Sequence, residues 1–216
     1  MEIYDNEEQQ IEALKKWWKE NGRSIIAGVI IGVGSIVGWN AWQSYKTSQA
    51  KQASDLYQQM LAASKEQKKD SVIKLSEQIN TNFSATPYKA LADLILARQK
   101  VENGDLEGAK TALAEVYTAS PDEAIKHIAR IRFLRLLLSE NKHKEALKLI
   151  SKFNVSSSGS FEGEYAELKG DANVGMNRLS AAKQAYQRAL DLGRKSRYLG
   201  LKNDELADAA IPELSE

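Results

Sequence analysis

The sequence contains no cysteine, and only two histidines, among its 216 residues. Without cysteine it can form no disulfide framework, no cysteine-ligated zinc site, no thiol nucleophile and no lipid anchor built on cysteine. The two histidines, His127 and His143, lie far apart in the chain and lack the spacing of an HExxH zinc site. We therefore predict a protein that binds no metal and needs no cofactor.

Proline is scarce as well, with three residues, and neither sign of charge dominates. Because Ala, Leu, Lys, Glu and Gln make up much of the remainder, the composition predicts an all-α protein. The 30 basic and 29 acidic residues leave a net charge of +1, which argues against a globally basic nucleic-acid binder and against an acidic disordered tail. No nucleophile stands near a candidate base in any known motif, so we predict no enzymatic activity.

The mean hydropathy of the sequence is −0.46, a value typical of soluble proteins, but one long run of residues is uncharged and apolar. Residues 24–45 carry no charge, and as a helix these 22 residues would be about 33 Å long, enough to cross a hydrocarbon core of about 30 Å. Eight Ile and Val residues in the run contribute about −2.4 to −4.8 kcal/mol towards insertion. The run predicts a single transmembrane helix over residues 24–45.

All four tryptophans lie around the ends of this run: Trp17 and Trp18 precede it, and Trp39 and Trp42 lie near its end. Tryptophan prefers the membrane interface, where its ring contacts lipid and its N–H contacts water or headgroups, so we predict that these four anchor the helix in membrane lipid. A cleaved signal peptide is the alternative. The apolar run is longer than in such peptides, and Trp39 and Trp42 stand where small residues should precede the cleavage site.

Basic residues are unequally distributed on the two sides of the run. Four precede it closely and two follow it over a similar distance: Lys15, Lys16, Lys19 and Arg23, then Lys46 and Lys51. By the positive-inside rule, residues 1–23 form a short cytoplasmic tail, residues 24–45 a signal anchor, and residues 46–216 a domain on the far side of the membrane.

Small residues recur every four positions within the predicted membrane helix. Ser24, Gly28 and Gly32 form one such series, and Gly34 and Gly38 form another. Spacing of four places small residues on one helix face, where a second helix backbone can approach closely. This predicts packing against a partner helix or a second copy of the chain. The alternative is that glycine is simply common in membrane helices.

The part after the anchor repeats itself at intervals of 37, 37 and 36 residues, marked by Val72, Ala109, Ala146 and Ala182. Around the last three, apolar residues follow the i, i+3, i+4, i+7 pattern of an amphipathic helix. Five residues before each of these alanines stands a residue suited to the left-handed turn that ends a helix: Gly104, Asn141 and Asn177. The pattern resembles tetratricopeptide (TPR) repeats and predicts a helical-repeat solenoid. The unit around Val72 matches poorly and is expected to be an atypical cap, and a capping helix is expected at the C-terminal end.

By analogy with TPR domains, the first helix of each repeat should line a concave groove. The candidate groove residues are Leu94, Arg98, Val101, Ile131, Arg135, Leu138 and Asp171. Arg98 and Arg135 occupy equivalent places 37 residues apart and could together bind a peptide carboxylate. The alternative is that they form salt bridges between repeats or simply remain solvated.

The opening of the chain, MEIYDNEEQQIEALKKWWKENG, and the segment GVIIGVGSIVGWNAW resemble the YfgM family of bacterial inner-membrane proteins. The resemblance extends to the architecture, one N-terminal anchor followed by a cysteine-free TPR-like domain. It implies an ancillary subunit of the SecYEG translocon in the bacterial inner membrane, with its domain in the periplasm. The implied partners are a PpiD-like periplasmic chaperone and newly exported client proteins. The alternative is a membrane-anchored TPR scaffold of another cell-envelope assembly complex.

Overall fold

The computed structural model describes residues 2–153, 155, 158–196 and 198–208. Over these residues the chain is helical and contains no strand, which confirms the all-α prediction. The α-helices are α1 (Glu2–Lys65), α2 (Lys69–Asn82), α3 (Tyr88–Glu102), α4 (Leu106–Ala119), α5 (Glu123–Ser139), α6 (His143–Lys152), α7 (Glu162–Val174), α8 (Leu179–Asp191) and α9 (Leu199–Asp208). A short 3-10 turn, Gly159–Phe161, precedes α7.

The chain divides into two compact units, Met1–Gln52 and Ala53–Glu216. The first unit consists of α1 up to Gln52. Of the helices described, α1 is the one long and apolar enough to cross a membrane. From Ile26 to Val37 the Ile and Val side chains of the predicted span are exposed, as at Ile30, where 66% of the residue surface is free. Such a surface is expected of a helix whose apolar surroundings are lipid or another membrane helix.

The second unit is a series of helix pairs. The end of α1 packs with α2 through Met60, Ala63, Val72 and Ile79, and the pairs α3–α4, α5–α6 and α7–α8 follow, with α9 against α8 as the predicted cap. Each pair buries its apolar stripe against its neighbours, so the core is a row of linked clusters rather than one centre. This arrangement is that of a TPR-like solenoid, in which each repeat is stabilised mainly by the next.

The turns between paired helices repeat with the period of the sequence. Positive φ angles occur at Gln67, Gly104, Asn141 and Asn177, with values of 56°, 79°, 58° and 56°. After each of them the next backbone N–H bonds back five residues, as Lys142 N does to the Leu137 carbonyl at 2.8 Å. This is the Schellman ending of a helix, and it confirms the predicted left-handed turns. Gln67 shows that the unit around Val72 has the same turn as the others.

Close packing within the last pair depends on a glycine. A Cβ added at Gly170 would lie 2.9 Å from Cζ of Tyr186 and closer still to other atoms of that ring. Tyr186 is 2% exposed and donates a hydrogen bond from its hydroxyl to Asp171 Oδ1 at 2.8 Å, so the ring has no room to move. Gly170 therefore allows α7 and α8 to approach each other around the tyrosine.

Candidate protein-binding face

Two adjoining clefts lie along the first helices of the repeats. The first, which we call the arginine pocket, has a volume of about 260 Å³. It is lined by Ala97, Arg98, Val101, Leu113, Arg132, Arg135 and Leu136. The second, which we call the acidic cleft, has a volume of about 320 Å³ and is lined by Arg135, Leu138, Glu164, Glu167, Leu168, Asp171 and Lys202. Because Arg135 lines both, the structure brings five candidate groove residues together on one face: Arg98, Val101, Arg135, Leu138 and Asp171.

Two residues expected in the groove lie in the core instead. Leu94 is 6% exposed and belongs to the cluster that joins α3, α4 and α5, and Ile131 is 3% exposed within the cluster of α5, α6 and α7. The reason is that α4 and α5 pack around Leu94, and α6 and α7 around Ile131. Burying an aliphatic side chain there removes about 1.5 to 3 kcal/mol of unfavourable hydration. The solvent-exposed part of the predicted groove is therefore formed by the polar residues next to Leu94 and Ile131.

The three arginines of the arginine pocket differ in their partners. Arg98 Nε binds Glu102 Oε1 at 2.8 Å within α3, and Arg135 forms an ion pair with Glu164 of α7. Thus the expected alternative, a salt bridge between repeats, is formed by Arg135, whereas Arg98 pairs within its own helix. Both arginine side chains remain more than half exposed, and the exposed pair of Arg98 with Glu102 contributes little to stability.

The third arginine, Arg132, lies on α5. Of the three, its positive charge is the least balanced by nearby carboxylates. It donates a hydrogen bond to the Leu94 carbonyl at 3.3 Å, and no carboxylate in the described part of the chain pairs with it. Burial lowers the pKa of Arg132, and the neighbouring charges of Arg135 and Arg98 lower it further, while Tyr57 opposes them. The guanidinium nevertheless stays protonated at any physiological pH. Its lowered pKa therefore marks a partly buried cation whose charged neighbours are other cations.

No feature of the sequence singled out Arg132. It is not part of the 37-residue correspondence that relates Arg98 to Arg135, and it follows directly after Ile131 in an apolar helix. Only the packing of α5 beside α3 places it over the same apolar floor.

In the acidic cleft the charges are neutralised by the C-terminal segment of the chain itself. Glu167 accepts hydrogen bonds from Arg194 Nε at 3.0 Å and from Lys202 Nζ at 3.3 Å, and Lys202 Nζ also binds Asp171 Oδ1 at 2.7 Å. Burial raises the pKa of Glu167, but the hydrogen bonds and charges of Arg194 and Lys202 outweigh it and leave the pKa below its usual value. Asp171 is thus engaged by the cap, through Lys202, and by Tyr186.

A third cleft, of about 380 Å³, lies beside the starts of α3 and α5. Its cation, Lys89, binds Asp93 at 2.8 Å and Glu115 at 2.7 Å, so it offers no unpaired basic group. Within the described residues, no three His, Asp or Glu side chains are grouped so as to hold a metal ion.

The predicted packing residues of the membrane helix lie on two sides of α1. A Cβ added at Gly28, Gly32, Gly34 or Gly38 would meet no atom within 4 Å, so the backbone is open at each. At about 100° per residue, Ser24, Gly28 and Gly32 lie within an arc of about 80°, and Gly34 and Gly38 follow on the other side of Ser24, so the two glycine pairs are centred about 120° apart.

The predicted interface tryptophans are exposed at both ends of the span. Trp17 and Trp18 are 50% and 52% exposed before it, while near its end the rings of Trp39 and Trp42 contact each other at a tilt of 50°, with centroids 5.3 Å apart. Lys46 Nζ lies 4.0 Å from the centroid of the Trp42 ring. This combination of aromatic ring and cation is typical of the level of lipid headgroups.

Comparison with known proteins shows where this architecture belongs. Residues 15–208 match the tetratricopeptide repeat-like domain family. A protein of Escherichia coli (strain K12) is 34% identical over 87% of this chain and 88% of its own length. One of Haemophilus influenzae (strain ATCC 51907 / DSM 11121 / KW20 / Rd) is 32% identical over 87% of this chain and 90% of its own length. Both relatives are named ancillary SecYEG translocon subunit.

The chain belongs to this family, the YfgM family of tetratricopeptide repeat-like proteins. The resemblance carried by the N-terminal sequence and the repeats is thereby confirmed. A further relative of the same name, from Aggregatibacter actinomycetemcomitans, is 30% identical over 85% of this chain and 88% of its own length. No solved structure matches the chain. Helix α1 and this family membership together fit a protein of the inner membrane.

Proposed function

We propose that this protein is a non-enzymatic ancillary subunit of the SecYEG translocon. The observation that carries the proposal is kinship over nearly the whole chain with relatives of that name, which includes the membrane helix as well as the repeats. An anchor open to packing and a repeat domain with an exposed polar face are suited to a protein that binds other proteins beside a channel.

The proposal extends to topology and partners. The excess of Lys and Arg before residues 24–45 supports a cytoplasmic N-terminus and a periplasmic repeat domain. There the domain binds a PpiD-like chaperone and newly exported client proteins through the face formed by α3, α5 and α7. Because the anchor confines the domain to the site where clients emerge, a weak interaction suffices, since tethering raises its effective concentration to the millimolar range.

The second candidate function is a membrane-anchored scaffold for another cell-envelope assembly. A TPR-like solenoid on a membrane anchor would serve such a complex equally well, because the fold provides binding surfaces without determining the partner. The relatives' names favour the translocon. The two functions differ in which membrane proteins accompany the chain.

Purification of the tagged full-length protein in a mild detergent, followed by mass spectrometry, tests this difference. We expect translocon subunits and a periplasmic chaperone to be enriched relative to a tagged single-span membrane protein of unrelated sequence. Enrichment of a different envelope complex without translocon subunits would refute the translocon assignment and support the scaffold function. Crosslinking in intact cells before lysis would retain partners that detergent removes.

A further inference from the structure

The arginine pocket combines an apolar floor with a basic rim. Val101 contributes an apolar side chain that is 38% exposed, and Leu113 and Leu136 from the neighbouring helices line the floor beside it. Arg98, Arg132 and Arg135 stand around this floor. Apolar surface bordered by three guanidinium groups suits a ligand that is itself part apolar and part anionic.

The balance of charge distinguishes this pocket from the other clefts. In the acidic cleft, Lys202 binds both Glu167 and Asp171, and in the cleft beside α3, Lys89 has two carboxylate partners. In the arginine pocket, two of the arginines have one carboxylate each, and Arg132 has none in the described part of the chain. One positive charge is therefore left uncompensated beside exposed apolar surface.

The size of the pocket limits what it can hold. Its volume of about 260 Å³ is below the roughly 300 to 1,000 Å³ typical of pockets that enclose a small molecule. It lies open on a helix face that continues through Arg135 into the acidic cleft. A pocket of this size on an extended face fits one anchoring side chain of a longer polypeptide better than a whole metabolite.

We propose that the arginine pocket binds a segment of a partner protein in which a carboxylate lies beside an aliphatic side chain. The aliphatic side chain packs on Val101 and Leu136, and the carboxylate binds the guanidinium of Arg132 in a bidentate pair. Where the segment carries more than one carboxylate, Arg98 exchanges its exposed partner Glu102 for one of them, and Arg135 does the same with Glu164, which keeps its second partner Arg194. The inference rests on the proposed function only in that the repeat domain binds proteins.

Fluorescence anisotropy with labelled peptides tests this with the full-length protein in detergent. The probe is a decapeptide of alternating Asp and Leu, and the comparison peptide has Asn in place of every Asp. We expect the acidic peptide to bind at least about tenfold more tightly, and its affinity to fall as salt is raised from 50 to 300 mM. Equal affinity for the two peptides, or no measurable binding of either, would overturn the proposal.

Substitutions at Arg132 test whether the acidic peptide binds in the arginine pocket. Arg132→Gln is expected to weaken binding of the acidic peptide about tenfold or more. Arg132→Lys keeps the charge but not the planar fork, so it should recover only part of the affinity. The matched control is Arg188→Gln, since Arg188 is an exposed arginine that pairs with Glu162 outside the pocket. If Arg132→Gln and Arg188→Gln have equal effects, or if circular dichroism shows both fully folded with unchanged binding, the pocket is not the site.

The same variants separate this proposal from the translocon assignment. If Arg132→Gln loses the acidic peptide while translocon subunits still accompany the protein, the pocket proposal stands beside the assignment. If the wild-type protein binds no acidic peptide but still recovers the translocon, the pocket proposal alone fails. If it binds the peptide through Arg132 but recovers no translocon subunit, only the assignment fails.

Discussion

Glycines in the membrane span of the first unit and glycines between packed helices of the second unit have opposite surroundings. In the first unit, a Cβ added at Gly28 or Gly32 would meet no atom within 4 Å. In the second, a Cβ at Gly170 would lie 2.9 Å from Tyr186 Cζ, and one at Gly175 would lie 2.6 Å from His143 Cδ2. The first pair leaves backbone open to the surroundings of the helix, whereas the second pair makes room for side chains of the same chain.

The apolar side chains differ in the same way. Ile30 and Ile31 are 66% and 69% exposed in the first unit, while Leu134 and Leu137 are 0% and 1% exposed in the second. Apolar burial within the chain therefore stabilises the repeats, whereas the corresponding contribution for the membrane helix has to come from lipid or from another protein. Substitutions in the second unit should consequently change stability, and those in the first should change association.

Gly170→Ala should have the largest effect on stability. The added methyl group collides with the Tyr186 ring, which cannot move because it is buried and bonded to Asp171. We expect a loss of about 3 kcal/mol or more in the free energy of unfolding, at the upper end of the range for overpacking. Urea unfolding of the full-length protein in detergent, followed by circular dichroism, measures it.

Gly200→Ala is the matched control for that variant. Gly200 lies in α9, and a Cβ added there meets no atom within 4 Å. Alanine at this position should leave stability unchanged or raise it slightly, because glycine is the weaker helix former. Equal destabilisation by the two substitutions would contradict the role given to Gly170.

Glu167→Gln should have an intermediate effect that depends on pH. The folded-state pKa of Glu167 is lowered, so its interactions with Arg194 and Lys202 stabilise the fold above the ordinary glutamate value of 4.5. This contribution disappears as pH falls from 4.5 through the lowered value. The variant should lose about 2 kcal/mol at pH 7, as expected for hydrogen bonds between charged groups, and the loss should shrink below pH 4.5.

Urea unfolding of both proteins at a series of pH values measures this dependence. Glu102→Gln serves as the control, because Glu102 pairs with Arg98 on the exposed surface of α3 and its removal should leave stability unchanged. A difference between wild type and Glu167→Gln that stays constant from pH 7 to pH 3 would exclude the ionic link between α7 and the cap.

The repeats were largely predictable from the sequence because their turns depend on local chemistry. Gly104, Asn141 and Asn177 are residues that adopt positive φ readily, and their regular spacing revealed the helix pairs. Gln67 was missed because glutamine rarely adopts this conformation. It lies between α1 and α2, which pack together through Met60 and Val72, so the positive φ occurs where the two helices meet.

The binding face was less predictable because it depends on how helices lie side by side. Periodicity identified Arg98 and Arg135 but gave no signal for Arg132, which joins them only through the packing of α5 on α3. For the same reason it placed Leu94 and Ile131 in the groove, although contact between neighbouring helices buries both. A pattern within one helix locates its apolar side but does not determine which part of that side a neighbour covers.

The replacement of Gly28 and Gly32 together by Ile should have the smallest effect on stability and a clear effect on association. A Cβ added at either position meets no atom within 4 Å, so we expect the unfolding of the repeats to be unchanged within error. If this face packs on a partner helix, two branched side chains prevent close approach and should reduce the translocon subunits recovered with the protein several-fold. Replacement of Gly34 and Gly38 by Ile adds the same bulk about 120° away around α1, and tests the second predicted series separately. Equal loss with both pairs would contradict a packing face formed by Gly28 and Gly32 alone, whereas undiminished recovery with Gly28 and Gly32 replaced would show that these glycines face lipid.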